Sequence, residues 1–94
     1  MRLIKTTQEI GRHGPVTRYY FWNGERDYLV RETVLGNGKR SFYAFVYFYR
    51  ETRNVFGNGS IGVSQSGWRR LPYGPKRRGL EKEAELLSLR ANCT

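Results

Sequence analysis

The chain holds one cysteine, Cys93, and one histidine, His13, among its 94 residues. A lone thiol cannot close an internal disulfide, which fits a reducing compartment. One His and one Cys eighty residues apart have no metal-ligand spacing. Acidic residues are scarce, eight against seventeen basic, for a net charge of +9 and a pI near 10.2. Long apolar runs are missing too. No segment approaches the roughly 20 apolar residues of a membrane span, and "MRLIKTTQEIG" has no stretch of a signal peptide's length. Cytoplasmic residence is therefore expected, with no membrane partner. No glycine-rich phosphate loop leads into a helix, and no cofactor is expected.

What is present is aromatic and arginine-rich. Aromatics make up 15% of the chain, and each buried Phe, Tyr or Trp removes roughly 150–250 Å² from water. That offsets a mean hydropathy of −0.69 and predicts a folded globule. Residues 1–94 are expected to form one small basic domain. Thirteen of the cations are Arg and four are Lys. Arginine binds phosphate bidentately and stacks on flat rings, where lysine is a hydrated point charge. A field of this sign draws polyanions.

Asn-Gly pairs in "WNGE" (22–25), "LGNGKR" (35–40) and "FGNGS" (56–60) suit tight hairpin turns. Between and around them lie "TRYYFW" (17–22), "DYLVRETV" (27–34), "SFYAFVYFYR" (41–50) and "GSIGVSQ" (59–65). This spacing predicts an antiparallel meander of three to five strands, with a short edge strand over 2–6. "SGWRRLPYGPKRRG" (66–79) carries two prolines, three glycines, five cations and no acid, and reads as a basic loop or arm. "LEKEAELLSLRA" (80–91) reads as a C-terminal helix. Leu80, Ala84, Leu87 and Ala91 form its apolar stripe, and Glu81, Glu83 and Glu85 sit early enough to favour the dipole. About twelve residues hold no helix alone in water. The expected fold is therefore α+β, a meander sheet with one helix packed on one face.

Side chains alternate across a strand. Within 41–50, Phe42, Ala44, Val46 and Phe48 make a core-like face of mixed sizes. Tyr43, Phe45, Tyr47 and Tyr49 make the other, whose hydroxyls seek water or a partner. That row could stack on bases, meet a second subunit in a homodimer, or be covered by residues 1–16. "YAFVYF" (43–48) resembles the later part of the RNP1 motif of RNA-recognition motif domains. The resemblance implies that Tyr43 and Phe45 are exposed stacking rings, with Ala44, Val46 and Phe48 buried. Ser41 and Phe42 stand where that motif has a basic residue and a glycine. The inferred element order is also similar to the three-stranded sheet plus C-terminal helix of some integrase arm-binding and plant transcription-factor domains, whose sheet enters the major groove.

The cluster "WRRLPYGPKRR" (68–78) is the main functional candidate. Arg69, Arg70, Lys76, Arg77 and Arg78 can meet phosphates while Trp68 and Tyr73 stack. Lys39 and Arg40, with Arg18 and Arg31, would extend the positive surface or pair with Glu25, Asp27 or Glu32. A single-histidine nuclease would need His13 beside Glu25 or Glu32, which nothing in their spacing arranges. The expectation is a non-enzymatic DNA- or RNA-binding protein. The alternative is a small accessory or inhibitory protein, viral or from a mobile element, that docks on an acidic partner surface through the same Tyr, Trp and Arg side chains.

Overall fold

A computed structural model describes residues 1–56 and 59–91. Five antiparallel strands lie in chain order: β1 (Arg2–Gly11), β2 (Gly14–Trp22), β3 (Asp27–Val34), β4 (Arg40–Phe56) and β5 (Gly59–Arg70). One helix, α1 (Pro75–Ala91), follows and packs across β3 and β4. The chain thus has the expected α+β meander with a C-terminal helix on one face. The expected turn at 57–58 and Cys93 lie outside the described residues.

The turns follow from their residues. Asn23 Oδ1 accepts from the Glu25 and Arg26 N–H groups at 2.8 and 2.7 Å. This side-chain bond folds the chain back, and Gly24 takes the φ of +99° that a side chain would resist. Asn37 repeats the device at the next hairpin, accepting from Lys39 N–H at 3.0 Å.

The core lies between sheet and helix. Tyr19, Phe21, Tyr28, Val30 and Ala44 meet Leu80 and Ala84, with Phe42, Val46, Leu71 and Leu87 around them. These strand positions alternate, so β2, β3 and β4 each give one row to the helix. Beneath it, Glu32 is buried yet fully partnered. It accepts from Tyr19 Oη at 2.8 Å and Ser88 Oγ at 2.7 Å, and pairs with Arg40 at 3.2 Å. Arg40 also donates to Ser88. Burial first, and then the bond to Glu32, push the Tyr19 phenol up to about 12.

Several boundaries differ from the sequence reading. The edge strand runs to Gly11 rather than stopping at residue 6. Residues 66–79 are not a free arm: 66–70 complete β5, 75–79 open the helix, and only 71–74 are irregular. Pro75 begins the helix because its missing N–H costs nothing in the first turn. Gly74 C=O accepts from Arg78 N–H at 3.1 Å there. The first turn therefore holds Lys76, Arg77 and Arg78 and no acid, against the dipole and contrary to the expected placement of the glutamates. Local contacts offset that cost. Lys76 sits 4.7 Å over the Tyr28 ring, Arg77 pairs with Glu81 at 3.0 Å, and Arg78 lies 5.5 Å from the Tyr73 ring. Ala91 is exposed, and Ser88 takes the buried place at that end of the stripe.

Pairing of β3 with β4 ends at Val46, whereas β4 and β5 stay paired to Phe56 and Gly59. Residues 47–56 thus run on with β5 as a two-stranded ribbon, about 33 Å at the usual rise per residue. The ribbon makes the molecule 64 Å long but only 31 by 24 Å across.

Candidate nucleic-acid interface

The helix covers one face of the sheet and leaves the other open. Cross-strand partners share a face, so the register assigns its members: Tyr20 pairs with Leu29, Leu29 with Phe45, and Phe45 with Arg70. The next rows add Arg18, Arg31 and Tyr43 on one side, and Tyr47 with Trp68 on the other. Trp22 pairs with Arg2, and Lys5 with Tyr20, so these four also lie here. Both tryptophans of the chain stand on this face.

The face folds in on itself. Tyr20 and Trp68 belong to strands three places apart, about 14 Å in a flat sheet, yet their ring centroids are 6.1 Å apart, edge to face. Trp68 meets Tyr47 the same way at 5.4 Å. Leu29, flanked by Tyr20 and Phe45, is only 6% exposed although no helix covers it. Cations are set against the rings: Arg70 lies 4.5 Å from the Tyr43 centroid, Arg31 5.3 Å from Phe45, and Lys5 4.8 Å from Tyr20. Arg31 Nε is buried with no hydrogen-bond partner among the described residues. Its guanidinium lies over the Tyr43 and Phe45 rings. Arg18 pairs with Glu9. At the outer end the rings are freer, with Tyr47 at 40% and Tyr49 at 63% exposure.

The residues singled out in the sequence divide between the two sides. Tyr43, Phe45, Tyr47, Trp68 and Arg70 come together on the open face. Arg69 points the other way, 5.2 Å over Phe48. Lys76, Arg77 and Arg78 gather at the start of the helix, where Tyr73 stands 77% exposed at the turn. Arg40 is engaged by Glu32 and Ser88 beneath the helix, and Lys39 is exposed in the β3–β4 turn. Sequence reasoning passed over Tyr20, Trp22 and Lys5. The alternation in "TRYYFW" already sets Tyr20 and Trp22 on one face. His13 lies in the β1–β2 turn, Glu25 at the opposite end of β2, and Glu32 under the helix, so they form no common site.

No protein-family model matches the chain, and no curated protein or solved structure matches it either. The fold itself separates the chain from the RNA-recognition motif, which requires a helix between its first two strands. Here β1 and β2 are joined by the two-residue turn Arg12–His13. What survives of the likeness is the division of faces in 43–48. Ala44 is buried under the helix, while Tyr43 and Phe45 lie on the open side.

Proposed function

We propose that the chain is a non-enzymatic nucleic-acid-binding protein whose contact surface is the open face of the sheet. Supporting this above all is one grouping: Tyr43, Phe45, Tyr47, Trp68 and Tyr20 share a surface with Arg70, Arg31, Arg18 and Lys5. Rings stack on bases of any sequence, and interleaved cations meet the backbone. Unpaired bases are the ones that such a cluster of rings can reach, so single strands bind in preference to duplex. Over the body of the sheet the open face sets Arg2, Lys5, Arg18, Arg31 and Arg70 against Glu9 and Asp27, which leaves it net positive. Cytoplasmic residence belongs to the same proposal and rests on the lone cysteine.

The tryptophans make the test direct, since both report on this face. Titrating the protein with short single-stranded oligonucleotides is expected to quench tryptophan fluorescence with saturation. Salt should weaken binding with a slope of about −0.7 per phosphate neutralised. Trp68→Phe is expected to keep most of the affinity while losing much of the quench. Absence of saturable quenching at low salt, with a protein partner copurifying in stoichiometric amount after nuclease treatment, would favour an accessory protein that docks on an acidic surface.

A further inference from the structure

The outer edge of the sheet points to a second copy of this chain. β1 pairs with β2 along one side only, and its other side carries backbone N–H and C=O groups with no strand beside them among the described residues. The alternation shows which residues these are. Asn23 N–H donates to Arg26 C=O at 3.3 Å, so Phe21, Tyr19 and Thr17 bond toward β3, and Tyr20, Arg18 and Val16 toward β1. Lys5, Thr7 and Glu9 are therefore engaged with β2, while Thr6, Gln8 and Ile10 point their backbone groups outward. Natural sheets blunt such an edge with Pro, repeated Lys, short strands or bulges. β1 has one irregularity, between Leu3 and Lys5, and beyond it runs straight to Gly11 without proline. Ile10 is 89% exposed and Ile4 53%.

We propose that two copies join through β1, antiparallel about a two-fold axis at Thr7. In this register Thr6 of one copy exchanges backbone bonds with Gln8 of the other, twice by symmetry, which satisfies the outward groups of both residues in both strands. Charge selects it. Lys5 then faces Glu9 of the second copy, and this occurs twice by symmetry. Both side chains lie on the open face, because Lys5 shares it with Tyr20 and Thr7 with Arg18. Sliding by one pair either way sets Lys5 against Thr7 or Gly11 and loses both Lys5–Glu9 contacts between the copies. A two-fold normal to the sheet keeps both helices on one side. The two open faces become one ten-stranded surface, with the two Arg18–Glu9 pairs flanking its centre.

Sedimentation velocity of the full chain over a range of concentrations tests this without nucleic acid. The wild type is expected to dimerise. Lys5→Glu and Glu9→Lys each set like charges across the interface twice, so each is expected to weaken dimerisation at least about ten-fold. The double variant Lys5→Glu/Glu9→Lys restores opposite charges and should return to within about two-fold of wild type. Gln8→Pro removes an outward N–H that β2 does not use and is expected to give monomer with unchanged circular dichroism. A wild type that stays monomeric overturns the interface, as do single charge variants that dimerise normally. Loss of the dimer with oligonucleotide quenching intact removes this inference alone. A dimer without quenching removes the nucleic-acid reading alone.

Discussion

Arg69 and Arg70 are neighbours in sequence and lie on opposite faces of the sheet, so exchanging each for glutamine separates a surface from a diffuse positive field. Arg70 lies 4.5 Å from the Tyr43 ring on the open face, and Arg69 lies 5.2 Å from Phe48 on the helix side. Side chains rise about 5 Å from each side of a sheet, which sets the two guanidinium groups on the order of 10 Å apart. The Debye length at physiological salt is about 8 Å, so Arg69 is largely screened from a strand on the open face. If the open face binds nucleic acid as proposed, Arg70→Gln removes one phosphate contact, and a hydrogen bond to a charged group is worth about 1.5–3 kcal/mol, roughly ten-fold to hundred-fold in affinity. It also makes the salt slope shallower by about 0.7. Arg69→Gln should cost less than about two-fold and leave the slope unchanged. Fluorescence anisotropy with a labelled single strand, repeated at several salt concentrations, measures both quantities. Equal losses for the two variants would refute the open face as the interface, since only a mobile arm or an undirected field treats the two residues alike.

Other expectations concern the fold that holds this surface. Ser88→Ala removes a hydroxyl that donates to buried Glu32 at 2.7 Å, and should cost about 1–3 kcal/mol in urea denaturation; a loss below about 0.5 kcal/mol would mean the helix is held by its apolar stripe alone. Tyr19 has its folded-state value raised from 10.0 to about 12, so its contribution is complete below pH 10.0 and is lost as pH rises toward 12. Wild type should lose stability over that window and Tyr19→Phe should lose less, as pH-jump circular dichroism would reveal. Gly79 lies inside the helix, and a Cβ there would meet nothing within 4 Å. Gly79→Ala should therefore stabilise the chain by roughly 0.5–1 kcal/mol, raising the thermal midpoint.

The parts of the fold written in short-range pattern were legible in the sequence. "DYLVRETV" is β3 from end to end, because Asn-Gly turns bound it on both sides and it is rich in aromatic and β-branched residues. The helix stripe at Leu80 and Ala84 was equally plain. The stretch 66–79 is less legible because its Pro and Gly residues have the composition of a loop, although each occupies a position that tolerates it. Pro75 is at the first helical residue, and Gly67 lies in β5 where the Phe48 ring packs within 3.5 Å of where its Cβ would be. Read as a strand, 66–70 would have set Trp68 and Arg70 together and Arg69 apart. The buried Glu32 left a weaker trace. It shares a face with Tyr28 and Val30, but its partners Ser88 and Arg40 come from distant segments that only the packing of the helix unites.

The aromatic stretch 42–49 of β4 has no polar face because both of its sides are used, by different means. Beneath the helix, Ala44 is wholly buried and Phe42 and Val46 pack around it. Above, rings shelter one another and carry cations, which keeps apolar area from water without a second layer of structure. That self-cover has a direction. It is tightest around Leu29, where Tyr20 and Trp68 close over the centre, and loosens through Tyr47 to Tyr49 toward the ribbon. Arg70 over Tyr43 is exposed, and a guanidinium plane accepts a base as an aromatic ring does. A strand laid along β4 would meet Arg70 above Tyr43 first, then the exposed edges of Trp68 and Tyr47, and would leave the body over Tyr49. On this geometry Tyr49→Ala should shorten the length of strand bound more than it weakens the binding of the shortest oligonucleotide, whereas Arg70→Gln should weaken both.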